Sequence, residues 1–205
     1  MKLQPIIPGQ FFHIYNRGIN GTDLFMENDN YTYFLNLYDK YIGPIADTYS
    51  WCLMKNHVHV LVYIKKDNEI NPEELSYKTV SKPRKISASI QFGHLFNAYC
   101  QAFNKRFKRT GSLFESPFER KLVNNDVYFK KLIYYIHYNP VHHRFTDIVS
   151  DYPWSSYYTV LSQKKSKLKR MELIERFENI ENFKIYHSQY QNLEDIRDLM
   201  IDFPL

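Results

Sequence analysis

The sequence predicts an α+β fold: an antiparallel sheet with helices packed on it, followed by a C-terminal helical tail. Three observations predict it. Strand-like and helix-like stretches follow one another in the order β-α-β-β-α-β-α. Two of the strands are separated only by Lys55-Asn56, the length of a tight hairpin connection. Beyond Gln163 the character changes, first to the charged run KKSKLKR and then to acidic helical patches over 170–203.

Each element has its own signal. QFFHIYNRG, Gln10–Gly18, alternates and ends in turn residues, which predicts the first strand. Over 28–42, Tyr31, Phe34, Leu35, Leu37 and Tyr38 fall near helical spacing behind Asn and Asp caps. Asp47–Met54 and His57–Ile64 make the hairpin. The polar stretch Lys65–Arg84 reads as an exposed, mobile connection. Ile86–Phe107 is a helix with Ile90, Leu95, Phe96, Cys100 and Phe103 on its apolar side, closed by Gly111 after the basic run NKRFKRTG. Ser116–Val123 is the fourth strand. Asp126 caps a helix that runs to about Tyr138 and that Pro140 ends. Asp151–Leu161 starts on a proline and forms a short helix. This order is ferredoxin-like in outline. It places one domain over residues 1–162 and a linker with a helical tail over 163–205.

Composition bounds the function. With 205 residues and 44% hydrophobic content the chain can build a core, and only 6 Gly argue against a low-complexity protein. A net charge of +5 suits an anionic partner such as nucleic acid. Cys52 and Cys100 fall in a strand and a helix, as small buried residues do in a reducing compartment. No apolar run is long enough for a signal peptide or a membrane span, so the expectation is a soluble cytoplasmic protein with no membrane partner.

Within Trp51–Ile64, Val58, Val60, Val62 and Ile64 alternate as a buried face, which puts His57 and His59 side by side on the other. Two imidazoles at this spacing either decorate a solvated sheet face or share one ion. No Asp-His follows, as a hydrolase of the His-x-His-x-Asp-His kind requires, and no second His-x-Thr/Ser repeat is present. Structural zinc would need more Cys or His. What remains is a site that takes a third ligand from elsewhere.

The stretch Tyr128–Phe145, which carries most of the helix that Asp126 caps, is the best source. At 100° per residue, Phe129, Leu132, Ile133 and Ile136 form its core face. Tyr128, Tyr135 and Asn139 run along one edge, and Tyr134 and Tyr138 point toward solvent. Tyr135 and Asn139, four apart, are surface neighbours. A tyrosine phenol can attack a phosphodiester, and an amide oxygen such as that of Asn139 can ligate a hard cation. Helix geometry leaves Tyr135 and Tyr128 as competing nucleophiles.

Five stretches in this order resemble the single-tyrosine HUH transposases of the insertion-sequence-200-like superfamily, in their REP-associated tyrosine transposase branch. They are YNRGING (Tyr15–Gly21), WCLMKNHVHVLV (Trp51–Val62), FNKRFKRTGSLFESPF (Phe103–Phe118), YYIHYNPVHH (Tyr134–His143) and DYPWSSYY (Asp151–Tyr158). The resemblance covers roughly residues 10–160 and leaves the tail uncovered. It implies that His57 and His59 bind Mg²⁺ or Mn²⁺, that Asn139 is the third ligand, and that Tyr135 rather than Tyr128 is the nucleophile. It also implies cleavage and rejoining of single-stranded DNA beside hairpins through a 5′-phosphotyrosine. Lys55 stands where the family often has Pro, and His142-His143 replace a common basic pair.

Lys105, Arg106, Lys108, Arg109, Arg120 and Lys121 make a local positive excess, expected to contact DNA phosphates. The interleaved Phe103, Phe107 and Phe114 read as core residues. Two other functions stay open: a DNA-binding regulator of the same fold without catalysis, and a replication-initiating HUH nuclease. So does the choice between monomer and homodimer.

Overall fold

The structure is a computed structural model that describes residues 4–75 and 86–199. Its order is β1 (Phe11–Arg17), α1 (Asn28–Tyr41), β2 (Ala46–Met54), β3 (His57–Ile64), α2 (Ala88–Arg106), β4 (Glu119–Val123), α3 (Asp126–His142), α4 (Tyr157–Leu161), α5 (Arg170–Arg176) and α6 (Ile180–Ser188). One antiparallel sheet runs β2-β3-β1-β4. The α+β class and its ferredoxin-like strand order are as expected. The connection predicted over Lys65–Arg84 contains short 3-10 turns at Asp67–Glu69 and Pro72–Glu74, and its later part, 76–85, lies outside the described residues.

Register assigns the side chains to faces. Tyr15 lies opposite His59, Arg17 opposite His57, and His13 opposite both Leu61 and Lys121. Paired residues share a face, so His13, Tyr15, Arg17, His57, His59 and Lys121 all project one way. Phe12, Ile14, Val58, Val60 and Val62 project the other way and pack with Phe34 and Leu37 of α1 and Phe92, Leu95 and Tyr99 of α2. The histidine face is covered too. Phe129, Leu132, Ile133 and Ile136 of α3 bury against it, together with Leu173, Phe177 and Phe183 from the tail.

Several boundaries move for local reasons. Glu27 precedes α1, and the Oδ1 of Asn30 reaches back to accept from the backbone N–H of Met26 and Glu27 at 3.0 and 3.1 Å. Asn125, not Asp126, caps α3, accepting from the Tyr128 N–H at 2.9 Å. Pro140 does not end α3, which continues to His142. It removes one backbone donor in the final turn, where His143 N still bonds Asn139 O at 3.0 Å. In α2 the buried stripe is Ala88, Phe92, Leu95, Tyr99 and Phe103. Ile90 is out of phase with it and 56% exposed. β4 begins at Glu119, three residues later than predicted, and the short helix before the tail begins at Tyr157.

The tail changes the reading of α3. Tyr134 is buried, stacked on Tyr138 at 4.6 Å with Tyr186 of α6 against its edge at 6.2 Å. The wheel places Tyr134 correctly away from the sheet, but the chain's own C-terminal segment covers that side. A buried polar chain locks it there. His187 Nδ1–H donates to Phe183 O at 2.8 Å, which leaves Nε2 to accept from His137 Nδ1–H at 3.0 Å. His137 Nε2 then accepts from the Ser156 hydroxyl at 2.8 Å, with Ser50 Oγ 3.1 Å away. This has the outline of a nucleophile, base and orienter, and its buried members hold α6, β2 and the loop before α4 to α3.

Burial lowers the His187 pKa from 6.5 to about 4. The folded value lies below the unfolded one, so the unfolded chain binds more protons across this window. Stability should therefore fall as pH drops from about 6.5 to about 4. The loss from this residue is about 3 kcal/mol. Thermal midpoints measured from pH 7 downward should decline, and His187→Leu should remove part of that slope.

Candidate active site

β3 delivers His57 and His59 to the same face, and both are buried, at 3% and 0% exposure. Their rings are 5.0 Å apart and nearly perpendicular. α3 lies above them. Asn139 is fully buried, and its Nδ2 donates to Tyr135 O at 3.2 Å, which turns Oδ1 toward His57 Nε2, also at 3.2 Å. The Tyr135 ring stands edge-on to His59 at 5.4 Å. Four residues singled out in the sequence thus converge: His57 and His59 from one strand, Tyr135 and Asn139 from one helix.

The donor atoms suit a cation. His57 Nδ1 faces Asn56 Oδ1 at 2.7 Å, so in the neutral ring the proton sits on Nδ1. His57 Nε2 and Asn139 Oδ1 are then two lone-pair atoms facing each other at 3.2 Å, an arrangement that a cation relieves. His59 Nε2 is buried with no hydrogen-bond partner. Burial, then His57, His13 and His143, holds the His59 pKa well below its usual value, which keeps the ring neutral and able to ligate. Two imidazoles and one amide oxygen are a donor set that fits a divalent ion. Among the described residues no group of three His, Cys, Asp or Glu is placed to hold a metal. His142 and His143 are exposed, and the His143 ring lies 5.1 Å from that of His57.

Two residues of this face were missed in the sequence. His13 Nε2 is 3.0 Å from His59 Nδ1, and Arg17 is the register partner of His57. The alternation of QFFHIYNRG holds the signal: His13, Tyr15 and Arg17 must share a face once that run is a strand.

The predicted basic residues separate. Arg120 and Lys121 are neighbours on β4, so they point to opposite faces. Lys121 is on the histidine face. Arg120 is buried on the other, donating to Ser89 Oγ at 3.1 Å and Phe118 O at 3.0 Å with its guanidinium 4.1 Å over the Phe118 ring. This corrects its expected place on an open DNA surface. Arg106 pairs with Glu27 and lies 3.5 Å from Asp29. Arg109 bonds Asn104 and Ser112 O and covers Phe103. Lys105 and Lys108 are exposed. The loop after α2 is tied to the histidine end of the sheet by Ile19 N to Leu113 O at 3.0 Å and Glu115 N to Arg17 O at 2.9 Å. Phe103 and Phe114 are core residues.

Fold and site together define a class: a ferredoxin-like antiparallel sheet with a histidine pair on an inner strand, lying under a helix that carries a tyrosine and an asparagine one turn apart. The likeness to REP-associated tyrosine transposases carried by the motifs is found again on comparison with known proteins. A Haemophilus influenzae protein named as a REP-associated tyrosine transposase is 25% identical over 114 residues, covering 55% of this chain and 59% of that relative. The chain therefore matches about three fifths of that relative's length. A solved structure of a REP-associated tyrosine transposase bound to a REP hairpin superposes with a TM-score of 0.63 at 14% identity, covering 80% of this chain and 86% of that one. That likeness shows the fold. No protein-family model matches the chain. Among the described residues no helix is long and apolar enough to cross a membrane.

Proposed function

We propose that the protein is a metal-dependent, cytoplasmic DNA strand transferase of the REP-associated tyrosine transposase kind, acting on single-stranded DNA beside hairpins. The observation that carries this is the meeting of the Tyr135 and His59 rings at 5.4 Å and of Asn139 Oδ1 and His57 Nε2 at 3.2 Å, across helix and strand. The Tyr135 oxygen attacks a backbone phosphorus. A tyrosine–phosphate bond forms, the bond to the 3′ oxygen breaks, the phenol gives up its proton, and the 3′ oxygen takes one. The reverse step rejoins strands without hydrolysis. His57, His59 and Asn139 would hold Mg²⁺ or Mn²⁺, which supplies Lewis-acid polarisation of the phosphate when bound. Asn139 also fixes the helix turn that carries Tyr135 through its bond to Tyr135 O.

The test is incubation of the full chain with Mn²⁺ and hairpin-bearing single-stranded oligonucleotides. A covalent adduct should survive denaturing electrophoresis and be lost with chelator. DNA binding without any adduct would favour the second reading, a non-catalytic regulator, to which the 2% exposure of Tyr135 lends support.

Phosphate contacts should come from the exposed cations. Replacing Lys105 and Lys108 with Ala should reduce the slope of log affinity against log salt by about 1.4, at roughly 0.7 per phosphate contact. Arg106→Ala should change it less, because Glu27 and Asp29 already engage that guanidinium. Fluorescence anisotropy over a salt series measures both, and an unchanged slope in the double variant removes this surface from the DNA path.

A further inference from the structure

The geometry points to His13 as a positioning residue that holds His59 in the one tautomer able to bind a cation. The inference rests on the reading of His57, His59 and Asn139 as a cation site. His13 is on β1, diagonal to His59 across the β1–β3 pair, and both rings are fully buried. His13 Nε2 lies 3.0 Å from His59 Nδ1, and the two ring planes are within 16° of each other. The ring centroids are 5.2 Å apart, so the two nitrogens lie nearly on the line between them and form an in-plane hydrogen bond with one proton between them.

That proton decides what His59 can do. Neutral imidazole carries a single ring proton. If His13 Nε2–H donates, the His59 proton must sit on Nε2, and no cation can bind there. A donor would then also be buried with no acceptor, since His59 Nε2 has no hydrogen-bond partner. If His59 Nδ1–H donates, Nε2 presents a lone pair into the site. Histidines that ligate metals characteristically give their second N–H to an acceptor, and losing that acceptor weakens metal binding about 10–100-fold. Here the acceptor is a neutral imidazole. With Asn139 as the third donor, no carboxylate enters the donor set, and a bound ion keeps its double charge for a phosphate.

Long-range proton–nitrogen spectra of the metal-free, ¹⁵N-histidine-labelled full chain should show His59 protonated on Nδ1 and bare on Nε2. Titrated with Mn²⁺ alone, His13→Phe should bind about 10–100-fold more weakly than the parent protein. His13→Gln, whose Oε1 can accept the same proton, should return to within a few-fold. Unfolding midpoints and amide spectra of each variant separate this from a loss of fold. Finding the His59 proton on Nε2 overturns the proposal, and so does parental Mn²⁺ affinity in His13→Phe while His59→Ala has lost it. In the second case the cation site stands; in the first, loss of Mn²⁺ affinity in His59→Ala shows that it stands and that the ion displaces the proton. Parental affinity in His59→Ala removes the cation site itself and this inference with it.

Discussion

Tyr135→Phe will leave the protein folded and abolish covalent capture of DNA. Only one oxygen is removed, and Phe fills the same space against His59 and His13, whose rings meet Tyr135 edge-on at 5.4 and 6.3 Å. The stability cost is about 1 kcal/mol, the worth of one hydrogen-bonding group. The chemical cost should be on the order of 10³-fold or more, since in the proposed reaction the phenol oxygen forms the phosphoester bond. Adduct formation on a denaturing gel measures the second quantity and urea unfolding the first. An adduct that persists in Tyr135→Phe would move the nucleophile elsewhere, with Tyr128, half-buried one edge position earlier on α3, the next to replace.

His137→Ala will destabilise the protein by about 3–5 kcal/mol, the range for emptying a buried aromatic site. His137 is fully buried and joins three segments at once: α6 through His187, β2 through Ser50, and the loop before α4 through Ser156. Its loss leaves a cavity and strands the His187 Nε2 without its partner, while the Ser156 hydroxyl keeps only Trp51 N–H and Ser50 Oγ. The damage should appear in the urea midpoint and in proteolysis of residues after 163. A midpoint unchanged to within 1 kcal/mol would mean that the tail's apolar residues hold it alone. His137→Gln, which can both donate and accept, should recover part of the loss.

Much of the fold was legible because it rests on local periodicity. The alternation in 57–64, the two-residue break before it and the helical spacing over 126–138 each reflect one element burying one face. Within the site, Tyr135 and Asn139 were legible as neighbours because helical spacing is fixed. His13 was not picked out, since a single histidine in an alternating run looks like any other residue until register sets it beside His59. Arg120 was misread for a related reason. Charge count placed it with Lys121, whereas strand parity sends the two to opposite faces, where Arg120 stacks on Phe118. Tyr134 shows a third kind of gap: its direction from the helix axis was right, but its covering comes from residues some fifty positions later.

By itself the sequence determined the element order, the face on which His57 and His59 stand, and the helix edge shared by Tyr135 and Asn139. These follow from repeat angles along a single segment, and no distant contact can change them. Only the tertiary structure decided that the histidine face is buried, that His13 completes it, that Arg120 is a core residue, and that the tail closes over α3. Those outcomes depend on strand register and on which segments pack together, which is settled by long-range burial of apolar surface and pairing of buried polar atoms, not by any local pattern.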